Sequence, residues 1–232
     1  MIVPNSIRNA LCDETMENHD RITYLAKEYF KKKKPRILDV GSGDGILISR
    51  IAKKLNAKDI SCVELEEDCV KKLKSFGYNV ESFDLNNKFP YKDSSFDYII
   101  ANQIIEHLYF TDKFMEEIKR VLRPSGTLIL STTNLASLHS RILLLFGFMP
   151  NCLHPSRYIV GTFVKKKGNN PLYGHKSVFT GKALKEFTKA HGFSVLRYET
   201  HSMLLVPRFL SNLICKVFDF GTHVNIVANN SK

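Results

Sequence analysis

The sequence predicts an α/β fold: a doubly wound, mostly parallel, seven-stranded sheet with helices on both faces and one inserted lid segment. Three observations carry this. The apolar run Ile37–Val40 leads straight into the loop Gly41-Ser42-Gly43-Asp44-Gly45, and helical spacing begins at Ile46. Strand-like and helix-like segments then alternate, the pattern of parallel strands joined by crossover helices. The alternation stops between Asn134 and about Val178 and resumes afterwards, as an insertion into a regular architecture would make it do.

The elements follow in order. Ile22, Leu25, Ala26, Tyr29 and Phe30 recur at helical spacing, so a helix is expected over residues 15–33, stopped by Pro35. Arg36–Val40 is the first strand. The next helix puts Ile48, Ile51, Ala52 and Leu55 on one face. Asp59–Leu65 reads as a strand, Asp68–Phe76 as a helix ending at Gly77, and Tyr78–Phe83 as a third strand. Phe96–Ala101 is a fourth, followed by a helix near Asp112–Val121. Pro124-Ser125-Gly126 turns the chain into a strand over Thr127–Thr132. Beyond the insertion, Thr180 caps a helix over Thr180–His191 that closes at Gly192. Phe193–Thr200 and His223–Ala228 are strand-like. The chain is read as one domain: a helical cap (1–34), a cofactor-binding half (35–133), a lid (134–178) and a closing helix with strands (179–232).

Length and composition agree with a single globular core: 232 residues, 44% hydrophobic and 25% charged. No apolar run approaches the roughly 18–20 residues of a membrane span. Met1-Ile2-Val3-Pro4-Asn5 has no signal-peptide pattern. The five cysteines are odd in number and never form C-x-x-C, which points to free thiols and a reducing cytoplasm. The net charge of +11 attracts anions: nucleic acid, lipid headgroups or phosphorylated molecules. Lys31–Lys34 is expected as a solvated helix end.

The loop selects among cofactors. A nicotinamide site wants G-x-G-x-x-G, and the sixth position here is Ile46. Asp44 would repel a pyrophosphate seated on the following helix. A cofactor with a positive centre and no phosphates suits the loop, and S-adenosylmethionine (SAM) is one. Glu64 stands at the end of the second strand, where a carboxylate can accept both protons of a ribose diol.

With Asp39-x-Gly41-x-Gly43-x-Gly45, Glu64, and Ser82-Phe83-Asp84-Leu85 in order, the chain resembles class I SAM-dependent methyltransferases from Arg36 onward. The resemblance implies their Rossmann-like fold. It also implies that Asp39, Gly41, Ser42 and Gly43 hold the methionine part, that Glu64 and Leu65 contact the ribose side, and that Asp84 and Leu85 contact adenine. Asn102 and Gln103, at the tip of the fourth strand, would lie along the methionine.

Ile104-Ile105-Glu106-His107-Leu108 resembles the ubiquinone-type O-methyltransferases, as does Arg120-Val121-Leu122-Arg123-Pro124. It makes His107 the candidate general base, with Glu106 beside it. A structural histidine is the competing reading. Some relatives bind a metal through Glu-x-x-Glu-His; here Gln103 replaces the first Glu, and an amide is the poorer ligand. No metal is therefore expected, although His139 or His175 could complete a site. No Asn-Pro-Pro-Tyr-like motif follows the fourth strand, which disfavours N-methylation of bases.

Gly174-His175-Lys176-Ser177-Val178-Phe179-Thr180 resembles an element of relatives acting on lipid-linked or glycan acceptors. The apolar stretches 138–149 and 203–220 could pack on the core or meet a membrane surface. The leading expectation is O-methylation of a small-molecule, lipid-linked or glycan-type acceptor, hydrophobic or anionic in part. An RNA 2′-O-methyltransferase is the alternative, with a nucleic-acid partner less favoured. A non-catalytic SAM-binding protein is the third reading.

Overall fold

The computed structural model describes residues 5–231 except 151, 154, 155, 157, 159, 164–174, 204, 205 and 207. Five strands run parallel: β1 (Arg36–Val40), β2 (Asp59–Val63), β3 (Asn79–Glu81), β4 (Phe96–Asn102) and β5 (Leu122–Thr133). β7 (His223–Asn230) lies antiparallel between β5 and β6 (Phe193–His201). The sheet order is β3-β2-β1-β4-β5-β7-β6. β1 and β4 are buried along almost their whole length, as parallel strands covered on both faces must be.

Alternate residues of these strands feed two cores. Leu38, Val40, Ile99, Leu128 and Ile226 pack with Phe114 and Ile118 of α4 (Thr111–Val121) and Leu184 of α6 (Gly181–Ala190). Ile37, Ile60, Ile100, Ile129 and Val227 pack with Ile22 and Leu25 of α1 (Asn5–Tyr29) and Ile48 and Ile51 of α2 (Ile46–Leu55). Leu73 of α3 (Glu67–Ser75) joins this second core. Thr180 caps α6, its hydroxyl accepting from Ala183 N at 3.2 Å.

Several boundaries differ from the sequence reading. The first helix begins at Asn5 and ends at Tyr29, so Lys31–Lys34 lies beyond it. All four are exposed, and Lys32 also has a partner: its Nζ is 2.6 Å from the buried Asp97 carboxylate. β2 and β3 are shorter than expected, ending at Val63 and Glu81. The Pro124-Ser125-Gly126 turn lies inside β5. Phe96 pairs with Leu122 and Tyr98 with Thr127, so residues 123–126 bulge out opposite Asp97.

The bulge explains the buried charge. Arg123 pairs with Asp97, which also accepts from Arg36 N at 2.9 Å. Burial raises the Asp97 carboxyl, but the Arg36 amide, Lys32 and Arg123 outweigh it and hold the group below its ordinary range.

Within residues 134–178, α5 (Leu138–Leu145) is the helix among the described residues; α7 (Arg208–Val217) falls in the second apolar stretch. Asn134 and Phe179 pair across the base of the segment, and Leu135 N donates to Phe179 O at 2.9 Å. The basic loop Lys165–Lys167 lies outside the described residues. Cys62, Cys69, Cys152 and Cys215 are free thiols. Among the described residues, no helix is long and apolar enough to cross a membrane.

Candidate active site

The glycine loop sits at the C-terminal end of β1, where ligands bind in sheets of this kind. Gly41, Gly43 and Gly45 all have φ between +53° and +78°, a region L-residues with a Cβ avoid. Two of them also answer to packing. A Cβ on Gly41 would stand 2.8 Å from Ile104 Cδ1, and one on Gly45 2.7 Å from Leu73 Cδ2. A Cβ on Gly43 would meet nothing within 4 Å, and the residue borders an open space. Gly41 N and Ser42 N both donate to Val63 O, tying the loop to β2.

That space is a cavity of about 120 Å³ lined by His19, Asp39, Gly41, Ser42, Gly43, Asp44, Leu47 and Asn102. Four residues that the loop resemblance assigns to the cofactor, with Asn102, thus meet in one place. Asp39 is buried there, and burial pushes its carboxyl up to about 7; the Ser42 hydroxyl moderates the rise and the Glu64 charge adds to it. A cationic ligand group entering the cavity would favour the ionised form. Asp44 Oδ1 accepts from Ile46 N at 3.1 Å, and Oδ2 lies 3.3 Å from Lys72 Nζ. Its carboxylate already occupies the α2 N-terminus that a pyrophosphate would use.

Sequence reasoning missed one wall. α1 lies across the strand ends, with Asn18 Nδ2 donating to Asn102 Oδ1 at 2.9 Å and His19 lining the cavity. Burial and then Arg50 lower the His19 pKa, so its ring faces the cavity neutral at pH 7. A signal existed: Asn18 extends the buried stripe Ile22, Leu25 and Ala26 by one helical step, and it is itself buried.

Glu64 follows β2. Its Oε2 accepts from Gly43 N at 2.7 Å, and its Oε1 from Leu65 N and Glu66 N at 2.7 and 3.0 Å. It braces the glycine loop from the side. Leu65 exposes 64% of its surface beside it, an apolar face open to a ring. Asp84 forms an Asx turn, accepting from Asn86 N at 2.9 Å and from Asn86 Nδ2 at 2.8 Å. The turn holds it at the end of the sheet near β3, outside the cavity lining. The Leu85 side chain is buried in the core.

The second constellation follows β4. Gln103 has φ +53°, a strained conformation for a non-glycine residue at a strand tip. With its amide nitrogen toward Glu106 Oε1 (3.1 Å), its oxygen accepts from Ser131 Oγ at 3.1 Å. Thr132 Oγ1 donates to Glu106 Oε2 at 2.8 Å. Glu106 is almost wholly buried in a short 3₁₀ turn (Ile105–His107), and burial pushes its carboxyl up to about 7.

His175 arrives from the far end of the insertion. Lys176 N and Ser177 N donate to Glu106 O at 2.6 and 3.1 Å, docking the segment on the turn. The His107 and His175 rings meet edge to face, 4.8 Å between centroids. Glu106, His107 and His175 each place a donor atom within 4.8 Å of the other two. His175 Nδ1 lies 3.3 Å from Cys152 O.

A model of the methyltransferase domain family matches residues 8–198. A probable S-adenosylmethionine-dependent methyltransferase of Mycobacterium tuberculosis is 35% identical over 42% of this chain and 35% of its own. Norajmaline N-methyltransferase of Rauvolfia serpentina is 31% identical over 43% of this chain and 36% of its own. The mitochondrial ubiquinone biosynthesis O-methyltransferase of Mus musculus is 26% identical over 51% and 35%. The chain spans about a third of the length of these relatives.

Among solved structures, the S-adenosylmethionine-dependent methyltransferase of Mesorhizobium loti superposes with a TM-score of 0.60 at 15% identity, covering 89% of this chain and 96% of its own. The [4+2]-cyclase SpnF superposes at 0.61 with 21% identity, over 90% and 80%. The fold thus hosts more than one chemistry. By its sequence family and its fold, the chain belongs to the methyltransferase domain family, with the Rossmann-like architecture of its SAM-dependent members.

Proposed function

We propose that the chain transfers the methyl group of SAM to a hydroxyl of an acceptor with an apolar part. The carrying observation is the pairing of two sites. The Asp39–Asn102 cavity fits the cationic methionine end, and the Glu106–His107 turn begins two residues beyond Gln103, at the same strand tip. Bound SAM supplies a methyl on an already activated sulfonium. Once bound, it would give that methyl to the acceptor oxygen and be left as S-adenosylhomocysteine. His107 takes the hydroxyl proton. Glu106, held by Thr132 and Gln103, fixes the turn that carries it. α1 closes one side of the cavity through His19.

The acceptor lies on the insertion side. A second cavity, about 100 Å³, is lined by Leu138, His139, Ile142, Met203 and Phe220. It is apolar with one histidine, which suits an acceptor with a hydrocarbon part. Leu144, Leu145 and Phe146 do not line it; they are exposed.

The Glu106–His107–His175 cluster supports a second reading, in which a divalent cation bound there lowers the pKa of the acceptor hydroxyl. The two-histidine, one-carboxylate donor set fits such an ion. Methyl-labelled SAM offered to hydroxyl and amine acceptors tests the primary reading: label should appear in a methyl ether, and label only in amines would overturn it.

The cofactor side has its own test. Glu64→Ala and Asp84→Ala should each weaken SAM binding by about 1–3 kcal/mol, the worth of hydrogen bonds to a charged group. Calorimetry reads this directly, and unchanged affinity in both variants would remove these residues from the ribose and adenine ends.

A further inference from the structure

The charge of this chain is segregated. Residues 1–133 carry 21 Lys and Arg against 20 Asp and Glu, whereas residues 134–232 carry 13 against three. From Asn134 to Lys185 there is no acidic residue and there are eight basic ones. Nearly all of the net +11 therefore belongs to the acceptor half, and the cofactor half is close to neutral.

The same half exposes its largest apolar side chains. On α5 and just beyond it, Ile142, Leu144, Leu145 and Phe146 face solvent, Leu145 at 80% and Phe146 at 70% exposure. Phe163, beside Phe148, is 70% exposed. On α7 and its end, Leu213, Val217 and Phe218 are exposed, Val217 at 71%. The two helices are joined at one corner, where Leu138 N donates to Phe220 O at 3.0 Å. Arg141 of α5 lies over the Phe220 ring there. Beside α5 opens the cavity of Leu138, His139, Ile142, Met203 and Phe220, the last two flanking α7 in the chain.

We propose that this face docks on an anionic lipid surface, with α5 and α7 lying in the interface and the apolar cavity opening toward the acyl region. Each part of the arrangement answers to a property of such a surface. Leucine, valine and phenylalanine side chains bury in the headgroup–acyl boundary, while Arg141 beside them and the net positive charge of residues 134–232 answer the negative surface potential. α5 and α7 contain no acidic residue to oppose it. A nucleic acid would satisfy the charge but leaves the exposed aliphatic side chains in water. A second copy would bring two strongly basic halves together. Docking is independent of which group is methylated.

The test uses the full chain with phosphatidylcholine vesicles, with and without phosphatidylglycerol. The protein should sediment with the anionic vesicles about tenfold more than with neutral ones, and less at high salt. Leu145→Asp/Phe146→Asp and, separately, Leu213→Asp/Val217→Asp should each cut that binding about tenfold or more. All four side chains are exposed, so circular dichroism and SAM affinity should stay as in the wild type, which separates failed docking from a failed cofactor site. No binding to anionic vesicles overturns the proposal. So does wild-type vesicle binding by both double variants, or an RNA oligonucleotide that displaces the protein from vesicles and binds both variants as tightly as the wild type.

Discussion

His107→Ala lowers turnover by about 10²–10⁴-fold while SAM affinity holds, the range expected for loss of a positioned general base. The side chain stands outside the cofactor cavity lining, so binding and chemistry should separate cleanly. His175 sharpens the result because its ring touches that of His107 from a segment 68 positions away. If His107 acts alone, His175→Ala disturbs only its orientation and costs less than His107→Ala. Activity then survives a chelator. If a cation is shared by Glu106, His107 and His175, both alanine variants fall together. The chelator abolishes turnover, and magnesium or manganese restores it. Single-turnover rates with and without chelator decide between the two.

SAM affinity should rise steeply with pH up to neutrality. In the free protein the Asp39 carboxyl titrates at about 7, far above the ordinary carboxylate range. Below pH 7 it is mostly neutral, and a cation entering the cavity must first displace a proton. Binding therefore weakens towards tenfold for each pH unit well below 7, roughly 50-fold from pH 7 to pH 5, and levels off above neutrality. The same shift opposes folding: a carboxyl harder to ionise in the folded state than in the unfolded one lowers stability as pH rises from about 4 to 7. Asp39→Asn should bind SAM more weakly at pH 8 and lose the slope. Isothermal titration across this range, in two buffers of different ionisation enthalpy, also counts the protons released. A slope that survives Asp39→Asn assigns it elsewhere.

Much of this was legible in the residues. The glycine loop declared itself because a strand ending in three glycines has few other uses, and all three adopt positive φ. The alternation of short apolar runs and helical stripes predicted the parallel part of the sheet, because each run is covered on both faces. Glu64 stood out as the acid at a strand end. What stayed hidden depends on contacts between distant segments. Nothing local in His223–Asn230 says that it enters antiparallel between β5 and the edge strand. The bulge at residues 123–126 follows from Asp97, which needs Arg123 and Lys32 from two other elements. His19 reaches the cavity, and Asn18 its lining residue Asn102, only because α1 folds back across the strand ends. His175 meets His107 because the segment that carries it docks on the turn, Lys176 N and Ser177 N donating to Glu106 O.

The Asp39–Gly45 loop and its cavity suit a cationic, phosphate-free cofactor. Calorimetric titration of the intact chain with SAM, S-adenosylhomocysteine and NAD tests it most directly. The two sulfur compounds should bind, and NAD should give no heat, because Asp44 holds the helix N-terminus that a pyrophosphate needs. Binding of NAD with no signal from SAM would contradict the account.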